Sequence, residues 1–336
     1  MYAHHDRGFA LLSLRSPQRS RLYLQCAADE RLELFTTLRD WFRHAVSRFN
    51  AAGLAYGHGT THAVDEAAFI VLEGLRLPID QLDPFFDAKL VPEERRRLAE
   101  LIDARIATRK PAAYLLGRAY IQGVPFYVDE RVIVPRSFIG ELLFADLVGE
   151  GGLIAAPEAV ASVLDLCTGG ASLAILAARV FPNARLDAVD LSADALEVAR
   201  RNVADHGLAE RIALLQGDLY EPLGERRYDL ILANPPYVDA ESLAAFPPEF
   251  AAEPRLAHAG GSDGLDIVRR ILARTREFLE PDGALVCEIG QGRALLEAEF
   301  PDLPLIWLDT RESEGEVFHI RASDWPRASR QAKRRP

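Results

Sequence analysis

Ser162-Val163-Leu164-Asp165-Leu166-Cys167-Thr168-Gly169-Gly170-Ala171-Ser172 decides the architecture of this chain. Its first five residues form an apolar run short enough for a buried strand. Two glycines break the run, and Ser172 to Val180 continues with apolar residues at helical spacing. The same alternation recurs downstream. Leu186-Asp187-Ala188-Val189-Asp190 reads as a strand and Asp194 to His206 as a helix. Ile212-Ala213-Leu214-Leu215 and Tyr228 to Ala233 read as strands, Leu265 to Leu279 as a helix, and Ala284 to Ile289 as a strand. Alternation of this kind predicts an α/β fold with a parallel sheet covered by helices. Two late apolar segments, Leu303 to Leu308 and Val317 to Ile320, lie too close together for a helical crossover and predict an antiparallel pair at the sheet edge.

Upstream the period is different. Phe35, Leu38, Phe42, Ala45 and Phe49 recur at three- and four-residue steps, which predicts an amphipathic helix over Leu32 to Phe49. Asp65 to Leu75 repeats the pattern. Pro92, followed by Glu93 and Glu94, opens a third helix running to Ala107. The triple Arg95-Arg96-Arg97 is expected on that helix's wet face. Ile121, Phe126-Tyr127-Val128 and Val132-Ile133-Val134 read as strands of a hairpin broken by Gly123 and Pro125, and a helix follows Pro135-Arg136-Ser137 as far as Leu147.

A chain of 336 residues accommodates two domains. No apolar run reaches the roughly 18 residues that span a bilayer, so no membrane partner is expected. Cys26, Cys167 and Cys287 are far apart and odd in number. They show no metal-ligand spacing and fit a reduced, cytoplasmic protein. The net charge of -11 argues against stable nucleic-acid binding and suits a small-molecule enzyme or a basic target.

In a doubly wound sheet, ligands bind beyond the carboxyl ends of the strands. The loop Thr168-Gly169-Gly170, after Asp165, lets backbone approach a ligand closely. Asp190 ends the second strand, placed to accept from ribose hydroxyls. Asp218 follows the third, placed to accept from an adenine amino group, with Tyr220 against the purine. A strand-end Asp is also an ordinary cap or turn former, so the three strand ends count together rather than singly. The absence of a full G-x-G-x-x-G or a P-loop disfavours NAD and nucleoside triphosphates. After the fourth strand comes Asn234-Pro235-Pro236-Tyr237, a rigid slot of amide, carbonyl and aromatic ring suited to a planar NH2 group. Turn formation by Asn234 and simple packing by Tyr237 are the competing readings.

Strand, Asp-Leu-Cys-Thr-Gly loop, acidic ribose residue and Asn-Pro-Pro-Tyr together resemble the class I S-adenosylmethionine-dependent methyltransferases. The helical segment and hairpin are similar to the protein-glutamine branch. Gly57-His58-Gly59-Thr60, Val134-Pro135-Arg136-Ser137, Pro247-Pro248-Glu249-Phe250 and Gly260-Gly261-Ser262-Asp263-Gly264-Leu265-Asp266 resemble the enzymes acting on large-subunit ribosomal protein three. The release-factor branch would show Pro-Arg-Pro-Glu-Thr-Glu where this chain has Pro135-Arg136-Ser137-Phe138-Ile139-Gly140.

The resemblance implies a Rossmann-like methyltransferase sheet at 135–323, parallel with an antiparallel edge strand. A substrate-recognising helical domain at 31–110 and a hairpin linker at 111–134 precede it. Residues 1–30 are expected to be a disordered extension and 324–336 a basic, disordered tail. The implied cofactor is S-adenosylmethionine, leaving as S-adenosylhomocysteine, and the implied protein substrate is large-subunit ribosomal protein three. Asn234, Pro235 and Tyr237 are the implied catalytic residues, and Asp165, Thr168, Gly169, Gly170, Asp190, Asp218, Tyr220 and Asn234 hold the cofactor. Pro236, Arg136 and Glu288 join the slot in holding the glutamine, Glu288 having the loop as an alternative role and Arg136 having Glu141 as an alternative partner. Asp239, Glu241, Glu249 and Glu253 are expected to steer a basic substrate. Release-factor glutamine, an adenine amino group and non-catalytic cofactor binding are the rival assignments. One departure stands out: the family's Gly-Ser-Gly is Gly169-Gly170-Ala171 here, and Gly170 is expected to take the unusual backbone angles in place of residue 171.

Overall fold

A computed structural model describes residues 30–326 except 146, 150 and 312. The expected N-terminal extension, apart from Glu30, and the last ten residues of the basic tail lie outside the described residues. The remainder of the expected tail is folded, since Trp325 packs against the sheet's core.

Helices α1 (Leu38–Ala52), α2 (Ala63–Gly74) and α3 (Pro92–Thr108) form a helical unit with its own core around Trp41, Phe49, Ile70, Leu98 and Ile102. The α1 start follows from a capping box: Asp40 N–H donates to Thr37 Oγ1, and Thr37 N–H donates to Asp40 Oδ2. The arginine triple on α3 is not simply a wet face. Arg95 donates to the Leu90 and Leu32 carbonyls and Arg97 to the Gly74 carbonyl, which satisfies chain ends that helix formation leaves unpaired.

A short helix α4 (Ala112–Leu116) leads into a hairpin, β1 (Ala119–Ile121) and β2 (Val124–Phe126). The expected hairpin is present, with two strands rather than three. Gln122 and Gly123 both have positive φ, so the chain reverses in two residues and Ile121 pairs with Val124. Val132-Ile133-Val134 is irregular chain outside the sheet, and the next helix, α5 (Phe138–Phe144), ends before Leu147.

The sheet follows as β3 (Ser162–Leu166), α6 (Ser172–Val180), β4 (Arg185–Asp190), α7 (Ala193–Asp205), β5 (Ile212–Gln216), β6 (Tyr228–Ala233), α8 (Ala240–Ala244), α9 (Asp266–Thr275), β7 (Leu279–Glu288), α10 (Arg293–Glu299), β8 (Ile306–Leu308) and β9 (Val317–Arg321). The strand order is β5-β4-β3-β6-β7-β9-β8. The first five are parallel, and β9 pairs antiparallel with both β7 and β8, as the short spacing of the last two segments requires. The α/β expectation, parallel with an antiparallel edge, is met. Strand order reverses between β3 and β6, where the first connection leads away in one direction and the later chain in the other. Loops after these two strands diverge and leave a crevice. Among the described residues no helix is long and apolar enough to cross a membrane.

Candidate active site

A cavity of about 320 Å³ lies in that crevice. On one side it is lined by Cys167, Gly169, Asp190 and Asp218, from the ends of β3, β4 and β5. On the other it is lined by Arg136, by Asn234 to Tyr237 after β6, and by the segment that follows. Two runs separated widely in sequence thus meet in one space.

The β3 side rests on a tight turn. Asp190 Oδ2 accepts from Gly169 N–H at 2.8 Å and its Oδ1 from Ser192 N–H at 2.9 Å, so the second strand's carboxylate fixes the first strand's loop. Burial pushes the Asp190 carboxyl pKa up, and these backbone donors oppose the shift. A Cβ built on Gly169 would meet no atom within 4 Å, so the glycine opens onto free space. Asp218 is held by Arg270 Nη2 at 2.7 Å.

Several expected cofactor residues stand behind this surface rather than on it. Asp165 is buried, accepts from Thr168 Oγ1 and from Ala174 N–H at 3.0 Å, and does not line the cavity, nor does Thr168. The pair closes the turn and holds the start of α6. Burial pushes the Asp165 pKa up to about 7, against those two hydrogen bonds. Tyr220 corrects the purine-stacking expectation. It is buried, stacks on Phe278 with centroids 4.5 Å apart and meets Thr275 Oγ1 at 2.7 Å, so its ring belongs to the core beneath α9.

The altered glycine loop resolves differently from expectation. Ala171 itself takes the left-handed conformation, with φ of 63°, while Gly170 does not have positive φ. Gly170 answers a steric demand instead: a Cβ there would lie 3.3 Å from Asn202 Nδ2. Asn202, on α7, donates to the Gly170 carbonyl at 2.9 Å and to that of Tyr127 at 3.1 Å, and accepts from Tyr127 N–H at 2.8 Å. One amide thereby ties the hairpin's exit to the cofactor-side turn.

On the other side, Asn234 Nδ2 donates to the Arg136 carbonyl at 3.3 Å. A carbonyl only accepts, so this contact fixes which end of the amide is nitrogen. Oδ1 is left without a described donor, next to the cavity. Tyr237 donates to Glu288 Oε1 at 3.0 Å, while Glu288 Oε2 accepts from Ser137 Oγ at 2.6 Å and Phe138 N–H at 2.9 Å. Burial pushes the Glu288 pKa up, opposed by these donors, and burial together with Glu288 pushes the Tyr237 hydroxyl pKa well up. Glu288 does not line the cavity. It holds the loop instead, through the Tyr237 hydroxyl, the Ser137 hydroxyl and the Phe138 N–H.

The glycine motif after the slot is packed into its back. A Cβ on Gly264 would come within 2.4 Å of the Tyr237 carbonyl, and one on Gly260 within 2.7 Å of Tyr237 Cα. Val238 N–H donates to the His258 carbonyl and Gly260 N–H to that of Val238, each at 2.9 Å, so the chain leaving the slot is strapped to this motif.

Arg136 does not pair with Glu141. It makes two 2.8 Å contacts to the carboxylate of Glu253, 117 residues away, and Glu141 meets Arg311 instead. Burial opposes the Arg136 charge, but Glu253 outweighs it and holds the guanidinium pKa up. Burial alone would raise the Glu253 pKa; His258, His58 and Arg136 together hold it well down. Glu249 and Glu253 have fully buried side chains and so cannot steer an approaching substrate, whereas Glu241 is exposed and Asp239 is half-buried as the N-cap of α8. Sequence reading missed Ile133, Leu191, Phe246, Phe250, His258 and Arg270 on the cavity wall. Only Phe250 carried a signal, through its place in the Pro247-Pro248-Glu249-Phe250 motif.

Residues 153–246 match the methyltransferase small domain family. The ribosomal protein uL3 glutamine methyltransferase of Bradyrhizobium diazoefficiens is 60% identical over 86% of this chain and 91% of its own length. The chain belongs to the ribosomal protein uL3 glutamine methyltransferase family. The Burkholderia pseudomallei member is 55% identical over 87% of this chain and 96% of its own. The Neisseria gonorrhoeae member is 52% identical over 84% and 93%. The chain is accordingly a methyltransferase, and the cavity bounded by Asp190 and Asn234 is its candidate active site.

Proposed function

We propose that this protein methylates the side-chain amide nitrogen of a glutamine in ribosomal protein uL3, using S-adenosylmethionine, in the cytoplasm. The observation that carries the reading is the fixed amide of Asn234, whose nitrogen is spent on the Arg136 carbonyl. Its oxygen is left as an acceptor at the edge of a cavity that also holds a strand-end carboxylate. The names of relatives sharing more than half of their residues with this chain favour uL3 over release factor. The charge of -11 fits a basic protein target better than nucleic acid.

The residues present fit the cofactor. Asp190 accepts from backbone N–H groups on both oxygens and keeps lone pairs for ribose hydroxyls. Gly169 leaves open space where a side chain would obstruct the ligand, and Asp218 offers acceptors for an amino group. When bound, S-adenosylmethionine supplies an electrophilic methyl carbon on a positively charged sulfur.

A carboxamide nitrogen is a weak nucleophile because its lone pair is delocalised into the carbonyl. Alkylation requires that pair to localise, and the nitrogen becomes positive. Asn234 Oδ1 accepts one N–H of the glutamine and the Pro235 carbonyl the other, so negative ends of two fixed dipoles lie where positive charge grows. Proline contributes no N–H to compete and stiffens the loop. Tyr237, held by Glu288, lies along the amide plane. The slot and the glycine motif behind it keep the nitrogen aimed, which removes orientational entropy from the barrier. An N-alkylated, protonated amide is a strong acid and releases its proton to water, so no side chain is assigned as base.

The test is methyl transfer from tritiated S-adenosylmethionine to purified uL3 and, separately, to release factor, followed by mass spectrometry of the product. Label on a uL3 glutamine supports the reading. Label on release factor alone overturns it.

A further inference from the structure

Two motifs, Gly57-His58-Gly59-Thr60 and Pro247-Pro248-Glu249-Phe250, take no part in the chemistry above, yet the fold presses them together. Glu249 Oε1 accepts from Ala55 N–H at 3.0 Å and lies 2.6 Å from Arg109 and 3.9 Å from Arg105, all within the helical unit. Four residues on, Glu253 accepts from Val134 N–H at 2.9 Å and from both Arg136 nitrogens. His258 Nε2 and His58 Nε2 stand 2.9 and 3.5 Å from its Oε2. Between these two carboxylates is Phe250, its ring 4.2 Å from that of His58 and 4.7 Å from that of Phe246. A Cβ on Gly57 would approach Phe250 Cζ to 3.1 Å, so the glycine makes room for the ring.

Phe246, Phe250 and His258 line the cavity on the side of the amide slot, and none belongs to a strand of the sheet. Burying two carboxylates is a poor way to gain stability, and ion pairs of this kind are better suited to fixing a register. The register fixed here is that of an aromatic wall, its rings tilted against one another, beside the place assigned to the carboxamide.

We propose that Phe250 is a specificity-determining residue that packs against the protein substrate next to its target glutamine. Glu249 and Glu253 are positioning residues that hold its ring from the helical unit and from Arg136. The proposal rests on the glutamine-methylation reading and deepens it. An aromatic face covers the substrate and excludes water from the slot, which strengthens the acceptor contacts there. The same wall links the helical unit to the chemistry: a substrate seated on the helices meets a surface those helices hold in place.

Steady-state kinetics of the full chain with uL3 as acceptor, together with calorimetric titration of S-adenosylhomocysteine, test this. Phe250→Ala is expected to raise the KM for uL3 about tenfold or more, as loss of a buried aromatic contact does, and to leave product affinity within about twofold. Phe250→Leu keeps the bulk without the flat face and is expected to fall between wild type and alanine. It carries the test alone if the alanine variant does not fold. Glu253→Gln is expected to raise the same KM while sparing product affinity. An unchanged KM for uL3 in the Phe250 variants, or product affinity falling in step with it, overturns the proposal. Wild-type protein inert toward uL3 overturns the functional reading and this inference with it, whereas an active wild type with indifferent Phe250 variants overturns this inference alone.

Discussion

The cofactor side and the amide side of the cavity differ in how far apart in sequence their supports lie. Asp190 reaches Gly169 and Ser192, and Asp165 reaches Thr168 and Ala174, all within one strand–helix–strand unit. On the amide side Asn234 leans on Arg136, Tyr237 on Glu288, and Glu253 on Arg136 and His58. Apart from Asp218, which Arg270 holds from 52 residues on, and the Asn202 tie to Tyr127, the first half is a local product of a strand followed by a turn. The second exists only once the helical unit, the irregular chain before α5 and the segment after β6 have come together. Cofactor binding and substrate placement should therefore be separable by mutation.

The strongest way to break that division is Asn234→Ala. Turnover is expected to fall about 100- to 1000-fold, the usual cost of losing a preorganised transition-state dipole. Affinity for S-adenosylhomocysteine by calorimetry should hardly change. Equal losses in both would show that the residue belongs to the cofactor half as well. Asp190→Ala is the mirror experiment. It removes charge-assisted hydrogen bonds worth about 1.5–3 kcal/mol each, so cofactor affinity should fall roughly ten- to a hundredfold. The KM for uL3 at saturating cofactor should stay near wild type.

A third experiment sharpens the account of the cofactor turn. The folded Asp165 pKa is raised to about 7, above its unfolded value, so the folded protein binds the extra proton. Stability is thus greater at the acid end of the window between the two values and falls as pH rises through it. Thermal melts of Asp165→Asn against wild type from pH 4.5 to 7.5 should show a flatter profile in the variant. Identical slopes would remove Asp165 as the source. The smallest effect is expected at Ala171, whose left-handed backbone costs roughly 1–2 kcal/mol. Ala171→Gly relieves this while adding unfolded-state freedom, leaving a net gain of under about 1 kcal/mol. A rise of a few degrees in Tm is the check; a fall would mean the methyl's packing outweighs the strain.

The same contrast explains what could be read from residues alone. Ser162–Leu166, Ser172–Val180 and Tyr228–Ala233 have the expected limits because strand runs and glycine breaks are local signals. The hairpin turning at Gly123 was legible from its glycine break, whereas the apolar run Val132 to Val134 carries no local signal that it stays outside a sheet. Arg136 was paired with nearby Glu141, since nothing local points to a partner 117 residues on. Tyr220 sits after a strand end but turns inward, because Phe278 and Thr275 offer it a stacking face and a hydroxyl partner.

The buried contacts of Glu249 with Arg105 and Arg109, and of Glu253 with His58, set a rule for anyone building chimaeras from this scaffold. Grafting a foreign front end onto the catalytic sheet would strand the Glu249 anion in a dry interior and take His58 from Glu253, which keeps Arg136 and His258, unless the donor brings matching cations at equivalent places. Exchange of substrate preference between relatives should therefore succeed only when the front end and the stretch from Pro247 to His258 travel together as one cassette.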